Sequence, residues 1–258
     1  MLLACVAFVL FSPPPPLAAE YRSERINGVP CHIVEASLSV VRVEIVVPPG
    51  FPNAEERFSS MVSRSEPFAA INGTYFDVNT FRPIGDIVTG GTKLYDGRMG
   101  TVLAITTDDR ADIRRVPWGR TQNWRGYSTV LGCGPALLLD GVIDIDPEGE
   151  RFQSRKVTMR TPRSGVGITL GGRIILLQTR RSVDLDELAE IFHALGCYEA
   201  MNLDAGASLA FYADGKTYQR PSRKLTNILV LYDESANGLL ERAARASSSA
   251  KREGQSAP

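Results

Sequence analysis

Apolar residues recur along this chain in short runs, each cut off after a few positions by glycine, proline or aspartate. Val41, Val43, Ile45 and Val47 alternate with Arg42, Glu44 and Val46, the pattern of a half-buried strand over 39–48, which Pro48-Pro49-Gly50 then ends. Similar runs predict strands at 32–35, 68–71, 136–139, 164–170, 208–213 and 227–232, and a strand pair at 101–107 and 111–116 around Asp108-Asp109. Asp96-Gly97, Asp140-Gly141, Gly171-Gly172 and Asp214-Gly215 each separate apolar runs and predict hairpins. A helical period is clear at 184–195, where Leu185, Leu188, Ala189 and Phe192 form one stripe. Asp184 with Glu187 reads as a capping box, and Gly196 as the stop. His193 falls off the stripe and is expected at the surface. Asn53 with Glu56 repeats the capping pattern and predicts a second helix through about Arg64. The expected fold is α+β: a mixed, largely antiparallel sheet with many short strands and hairpins and a few helices packed on it. No internal repeat is visible.

The two ends read differently from the middle. Residues 1–11 are apolar but too few to span a bilayer as a helix. Ser12, four prolines and Leu17-Ala18-Ala19-Glu20 follow, so 1–19 is expected to be a signal segment cleaved near Ala19, although no Lys or Arg precedes the apolar run. A Pro-rich cytoplasmic tail is the alternative. Leu2-Leu3-Ala4-Cys5 has the look of a lipoprotein box, usable only if the true start lies upstream. The folded domain is expected over 20–233. The Ala-, Ser- and charge-rich stretch 234–258 is expected to be a mobile polar tail. The mature chain is therefore expected to be exported, periplasmic or secreted, with no transmembrane helix.

Composition then excludes several classes. The 258 residues carry 29 Lys+Arg against 29 Asp+Glu, so net charge gives no argument for a nucleic-acid partner. With two histidines, His32 and His193, a histidine-rich metal site or a Ser-His-Asp triad is not expected. Export would leave Cys31, Cys133 and Cys197, an odd number that allows at most one disulfide among them.

Candidate chemistry gathers where strands run into polar and small residues. In Ala200-Met201-Asn202-Leu203-Asp204-Ala205-Gly206-Ala207-Ser208, Asn202 and Asp204 are two apart and on an extended backbone share a face. The strand at 68–71 leads likewise into Asn72-Gly73-Thr74-Tyr75-Phe76-Asp77, where Tyr75 and Phe76 could wall a sugar. Gly132-Cys133-Gly134-Pro135 suggests a backbone on an unusual path near a ligand. Arg160-Thr161-Pro162-Arg163 could form a fork for phosphate or carboxylate, and Gly165 and Gly167 in the next strand could let something approach closely. Arg223 lies in another basic, Pro-bearing loop. Trp118 and Trp124, beside Arg120 and Arg125, could stack on sugars or anchor their loop.

In this order, the 70–77, 132–135 and 160–167 segments, the helix at 185–196, Asn202-Leu203-Asp204-Ala205-Gly206-Ala207-Ser208 and the 223–227 segment resemble the phosphodiester glycosidase family, over roughly 68–232. The resemblance implies a hydrolase that cleaves a sugar-1-phosphodiester at the anomeric carbon, acting on envelope or exopolysaccharide glycoconjugates. It implies catalytic roles for Asp204, Asp77 and Arg163. It implies substrate contacts from Asn72, Gly73, Tyr75, Gly134, Arg160, Asn202, Gly206, Ser208 and Arg223. No cofactor is required, though carboxylates and carbonyls near Asp204 could hold a divalent cation such as calcium. The family commonly has three glycines after the aspartate, and in this chain Ala205 and Ala207 replace two of them. If position 205 needs a positive φ, alanine there costs about 1 kcal/mol. A catalytically silent glycan-binding protein, a structural envelope protein and a phosphodiesterase cutting P–O are the other readings these residues allow.

Overall fold

In the computed structural model, which describes residues 18–97 and 100–235, antiparallel strands are the main elements of the chain. The strands β1 (Glu20–Ile26), β2 (Val29–Ser37) and β3 (Val41–Val46) precede the helix α1 (Phe58–Ser65) and β4 (Ala69–Asn72). Next come β5 (Ile87–Thr89), β6 (Thr92–Tyr95), β7 (Thr101–Thr106), β8 (Ala111–Arg115), β9 (Tyr127–Cys133), β10 (Ala136–Leu139) and β11 (Val142–Ile143). A short helix α2 (Arg155–Thr158), β12 (Ser164–Thr169), β13 (Arg173–Thr179) and α3 (Leu185–Ala194) follow, then β14 (Cys197–Asn202), β15 (Phe211–Ala213), β16 (Lys216–Gln219) and β17 (Ile228–Asp233). A 3-10 turn, Gly206–Ser208, lies between β14 and β15.

These strands form a 7-stranded sheet in the order β1-β2-β13-β12-β14-β10-β11 and two 5-stranded sheets, β16-β15-β4-β17-β3 and β6-β5-β9-β7-β8. The inner faces meet in one core, to which Val34, Val166 and Met201 come from the first sheet, Ile71 and Leu229 from the second, and Leu103 and Leu131 from the third. The predicted stripe of α3 covers the outer face of the first sheet, with Leu188, Ala189 and Phe192 packed on Ile33, Leu177 and Ala200. Its capping box is made as expected: Glu187 N donates to Asp184 Oδ1 at 2.9 Å and Asp184 N to Glu187 Oε2 at 3.1 Å. The second sheet is covered by α1 through Phe58, Met61 and Val62.

Local chemistry explains the differences from the sequence reading. Helix α1 starts at Phe58 rather than near Asn53, because both expected capping residues are engaged elsewhere. Asn53 Oδ1 accepts from Arg82 at 2.9 Å, and Glu56 pairs with Arg64 and bridges to Leu225. Asp96-Gly97 is no hairpin between neighbours: β6 pairs with β5 across Gly90-Gly91, and Gly97 N donates to Asp86. Strand β1 escapes the pattern because it is a polar edge strand, turned into β2 by Asn27-Gly28 with both φ positive. Gly165 and Gly167 make room for α3 rather than for a ligand, since an added Cβ would fall 2.7 Å and 2.8 Å from the Phe192 ring. Cys31, Cys133 and Cys197 are all buried free thiols. Trp124 is buried and donates to Asp86 Oδ2 at 2.6 Å, whereas Trp118 is 55% exposed.

Of the expected signal segment, positions 1–17 lie outside the described residues, and so does the expected tail beyond Ser235. Glu234 is described and pairs with Arg42 at 2.7 Å. Among the described residues no helix is long and apolar enough to cross a membrane.

Candidate active site

The ends of β4 and β14 and the start of β12 meet where the first two sheets adjoin. Asn72 donates through Nδ2 to the Asp204 carbonyl at 2.6 Å, and its Oδ1 accepts from Ala210 N at 3.1 Å. Ser164 Oγ lies 3.0 Å from that same Oδ1 and 2.8 Å from the Asp204 carbonyl. Asp204 N donates to the Gly73 carbonyl at 3.2 Å. Gly73 is required by this crossing: a Cβ there would sit 1.8 Å from Asn227 Oδ1, which accepts from Thr74 N at 2.8 Å. Asn72 and Gly73 thus tie the two sheets together, and Asn72, 1% exposed, is turned into the protein.

Asn202 is equally committed. Its Oδ1 accepts from Arg163 Nη1 at 3.1 Å, and its Nδ2 lies 2.7 Å from Tyr75 Oη, 2.7 Å from the Leu203 carbonyl and 3.2 Å from that of Gly134. Gly134 faces protein too, donating to the Asn202 carbonyl at 3.1 Å, with Glu150 and Thr101 packed where its Cβ would be.

What remains open to solvent is a cleft of ≈ 600 Å³ beside these knots. Tyr75 and Phe76 form one wall, and Phe152, Val157 and Met159 the other. The 205–207 backbone and Asp204 close one end, with Arg223, Lys156 and Arg151 as cations around it. Val78 and Met159, 58% and 54% exposed, make its mouth apolar. Asp204 is the one acid among the described residues that line it.

The Asp204 side chain is only 9% exposed. Oδ1 accepts from Ala205 N at 2.8 Å, and Oδ2 lies 3.3 Å from Arg223 Nη2. Burial pushes this carboxyl above its ordinary pKa, opposed by a hydrogen bond from Ser208 and the charge of Arg223. Arg223 is held in turn by its Nε–H to Ser208 Oγ at 2.8 Å and by the Phe76 ring, 4.7 Å from its guanidinium. Tyr75 stays protonated, because burial raises its pKa well above the usual phenol value.

Asp77, Arg160 and Arg163 also stand apart from the cleft lining. Asp77 is exposed, and its Oδ1 accepts from Asn79 N, Thr80 N and Thr80 Oγ1 at 2.9, 2.8 and 3.0 Å. Those bonds hold its pKa below the ordinary value, and it does not line the cleft with Asp204. Arg160 is bound outside by Asp184 and Glu187, each at 2.6 Å, so it forms no fork with Arg163. Arg163 itself is wholly buried, 0% exposed, and donates to the carbonyls of Val183, Val157 and Met159 at 3.2, 2.8 and 2.7 Å as well as to Asn202. Burial lowers its pKa, against the opposing charge of Asp184. Arg163 cannot touch a ligand without breaking these bonds.

The alanines after Asp204 are unstrained. Ala205 is extended at φ −139°, and the residue of this loop that takes a positive φ is Gly206, at +61°. The glycine is therefore kept where φ requires it, and the two methyl groups sit where any residue fits. Phe152, Lys156, Met159 and Ser164 were not legible as site residues. The 151–159 segment has no strand or long-helix period to mark it, and the serine follows Arg163 as one polar residue at a strand start. Among the described residues no three His, Cys, Asp or Glu side chains gather as a metal-ligand set.

A family model described as phosphodiester glycosidase matches residues 65–232. A bovine (Bos taurus) N-acetylglucosamine-1-phosphodiester alpha-N-acetylglucosaminidase is 26% identical over 218 residues, 76% of this chain and 41% of its own, so the chain spans about two-fifths of that relative. The zebrafish N-acetylglucosamine-1-phosphodiester alpha-N-acetylglucosaminidase catalytic domain superposes with a TM-score of 0.67 at 20% identity, over 85% of this chain and 84% of the other. A hypothetical protein from Synechocystis gives 0.66 at 16% identity, over 85% and 64%. These two structures share the fold.

Proposed function

This chain belongs to the phosphodiester glycosidase family, and from that premise we propose that its cleft hydrolyses a sugar-1-phosphodiester at the anomeric carbon. The observation that carries this reading is the pairing of one buried acid, Asp204, with one half-exposed cation, Arg223, at 3.3 Å in an open cleft. Water attacks the anomeric carbon and gives its proton to the Asp204 carboxylate, while the bond from that carbon to the phosphate oxygen breaks. The bonding pair leaves on a phosphate monoester, held by Arg223 with Lys156 nearby. The carboxylate also stabilises the positive charge that develops on the sugar. A phosphate is a good leaving group, so the step needs no second acid, in keeping with the placement of Asp77 outside the cleft. Tyr75 Oη accepts from Asn202 and keeps its own proton to donate to a substrate oxygen.

N-acetylglucosamine, named for the bovine and zebrafish relatives, is the first sugar to try. For the aglycone we propose an envelope or exopolysaccharide glycoconjugate met after export. Room for a long aglycone supports this: a second depression of ≈ 800 Å³ adjoins the cleft and shares Arg151, Phe152, Gln153 and Ser154 with it. Export rests on the apolar opening run and the small residues before Glu20. The test is an assay of the protein on a panel of sugar-1-phosphodiesters beside Asp204→Asn. Turnover by the wild type, lost in the variant, is expected. No turnover of any member, or an unimpaired variant, would overturn the reading.

A further inference from the structure

Arg163 stands out among the cations of this molecule. It is among the largest wholly buried side chains, and its guanidinium donates only to neutral acceptors: three backbone carbonyls and the Asn202 amide oxygen. Among the described residues it makes no ion pair, whereas Arg223, which lines the cleft, is bridged to Asp204. Asp184, whose charge reaches Arg163 through space, is itself bridged to Arg160. A guanidinium stays charged in protein, and an uncompensated charge in the interior is costly to keep.

Its position says what the charge faces. Two of its acceptors, the Val157 and Met159 carbonyls, belong to residues that line the cleft, and a third, Asn202, lies against the cleft residue Tyr75. We infer that Arg163 is a fixed positive charge set one residue behind the cleft wall, which draws an anionic phosphate into the cleft without touching it. The wall excludes water between charge and ligand, so the attraction is screened less than one across open solvent. Arg163 is on this account a specificity-determining and positioning residue: it favours phosphate-bearing ligands over neutral ones of the same shape. The inference rests on the cleft being the substrate site, as proposed above, but not on turnover.

Isothermal titration with inorganic phosphate separates charge from scaffold. Arg163→Lys and Arg163→Gln both give up most of the hydrogen bonds, but only the lysine keeps the charge. With the charge removed behind the wall, Arg163→Gln is expected to weaken phosphate on the order of tenfold, and Arg163→Lys only a few-fold. Asn202→Asp places a carboxylate against the intact guanidinium and is expected to weaken phosphate as Arg163→Gln does, which carries the test if the glutamine variant does not fold. A purely structural arginine would instead make lysine and glutamine fail alike. That result, an unchanged affinity on neutralisation in a folded variant, or a wild type that binds no phosphate overturns the inference. A wild type that binds phosphate with this dependence but cleaves no diester would leave it standing and sink the proposed reaction.

Discussion

Asp204 and Asp77 each lie a few residues beyond a buried strand that ends in asparagine, β14 at Asn202 and β4 at Asn72, and they finish in opposite surroundings. After Asp77 the chain stays at the surface and folds back, and Thr80 with two backbone N–H groups takes up one carboxylate oxygen. After Asp204 come Ala205, Gly206 and Ala207, which have no side chain to capture it. The carboxylate is left with one backbone N–H, Ser208 and the half-exposed cation Arg223. Burial raises the one pKa and local hydrogen bonds lower the other. An aspartate at a strand end becomes chemically useful when its neighbours cannot satisfy it.

Exchange of each for asparagine should divide them most sharply. Asp204→Asn is expected to lower kcat/KM on a sugar-1-phosphodiester by about 10²–10⁴-fold, the usual worth of a general base. Asp77→Asn should leave steady-state kinetics unchanged. A large loss with Asp77→Asn would return it to the site. Next in size is Arg223→Gln, expected to cost about tenfold to a hundredfold, as for a lost charge-assisted hydrogen bond. Because the Arg223 charge lowers the Asp204 pKa, its removal should also move the acid limb of the pH–rate profile to higher pH.

Stability against pH gives a smaller contrast of opposite sign. Asp204 has a folded pKa above its unfolded one, so its ionisation works against folding: stability falls as pH rises through the window between the two. Asp204→Asn should therefore melt higher than the wild type at neutral pH, and the gap should close as pH falls below the ordinary carboxylate value. Asp77 has a depressed pKa, and its contribution is present above the unfolded value and lost as pH falls through the folded one. Asp77→Asn should melt at or below the wild type at neutral pH, with any gap closing in acid. Melting curves of both variants from acid to neutral pH check this.

The smallest effect is expected from Ala205→Gly. Position 205 is extended, so glycine relieves no strain and only loosens the unfolded chain, at a cost of about 0.4–1 kcal/mol by denaturant titration with activity retained. A gain in stability would mean that the alanine is strained after all.

Much of this was readable in advance where one physical cause acts locally. The α3 stripe, its capping box, and the turns at Asp140-Gly141, Gly171-Gly172 and Asp214-Gly215 follow from period and turn chemistry alone. Asp204 was visible because small residues follow it. The remaining site assignments depended on partners distant in sequence. Asn72 and Asn202 look like ligand contacts until Ala210, Ser164, Arg163 and Tyr75 are seen to occupy them. Arg160 and Arg163 look like a fork until Asp184 takes one and the interior the other. The wall at Phe152 and Met159 has no regular period to announce it, and only folding brings it opposite Tyr75.

The measurement that bears most directly on the site is hydrolysis of an N-acetylglucosamine-1-phosphodiester in water labelled with heavy oxygen, followed by mass analysis of both products. Attack at the anomeric carbon assisted by Asp204 predicts the label in the sugar and none in the phosphate. Label in the phosphate would mean that the P–O bond is cut, and would contradict the roles of Asp204 as base at the sugar carbon and Arg223 as holder of the leaving phosphate.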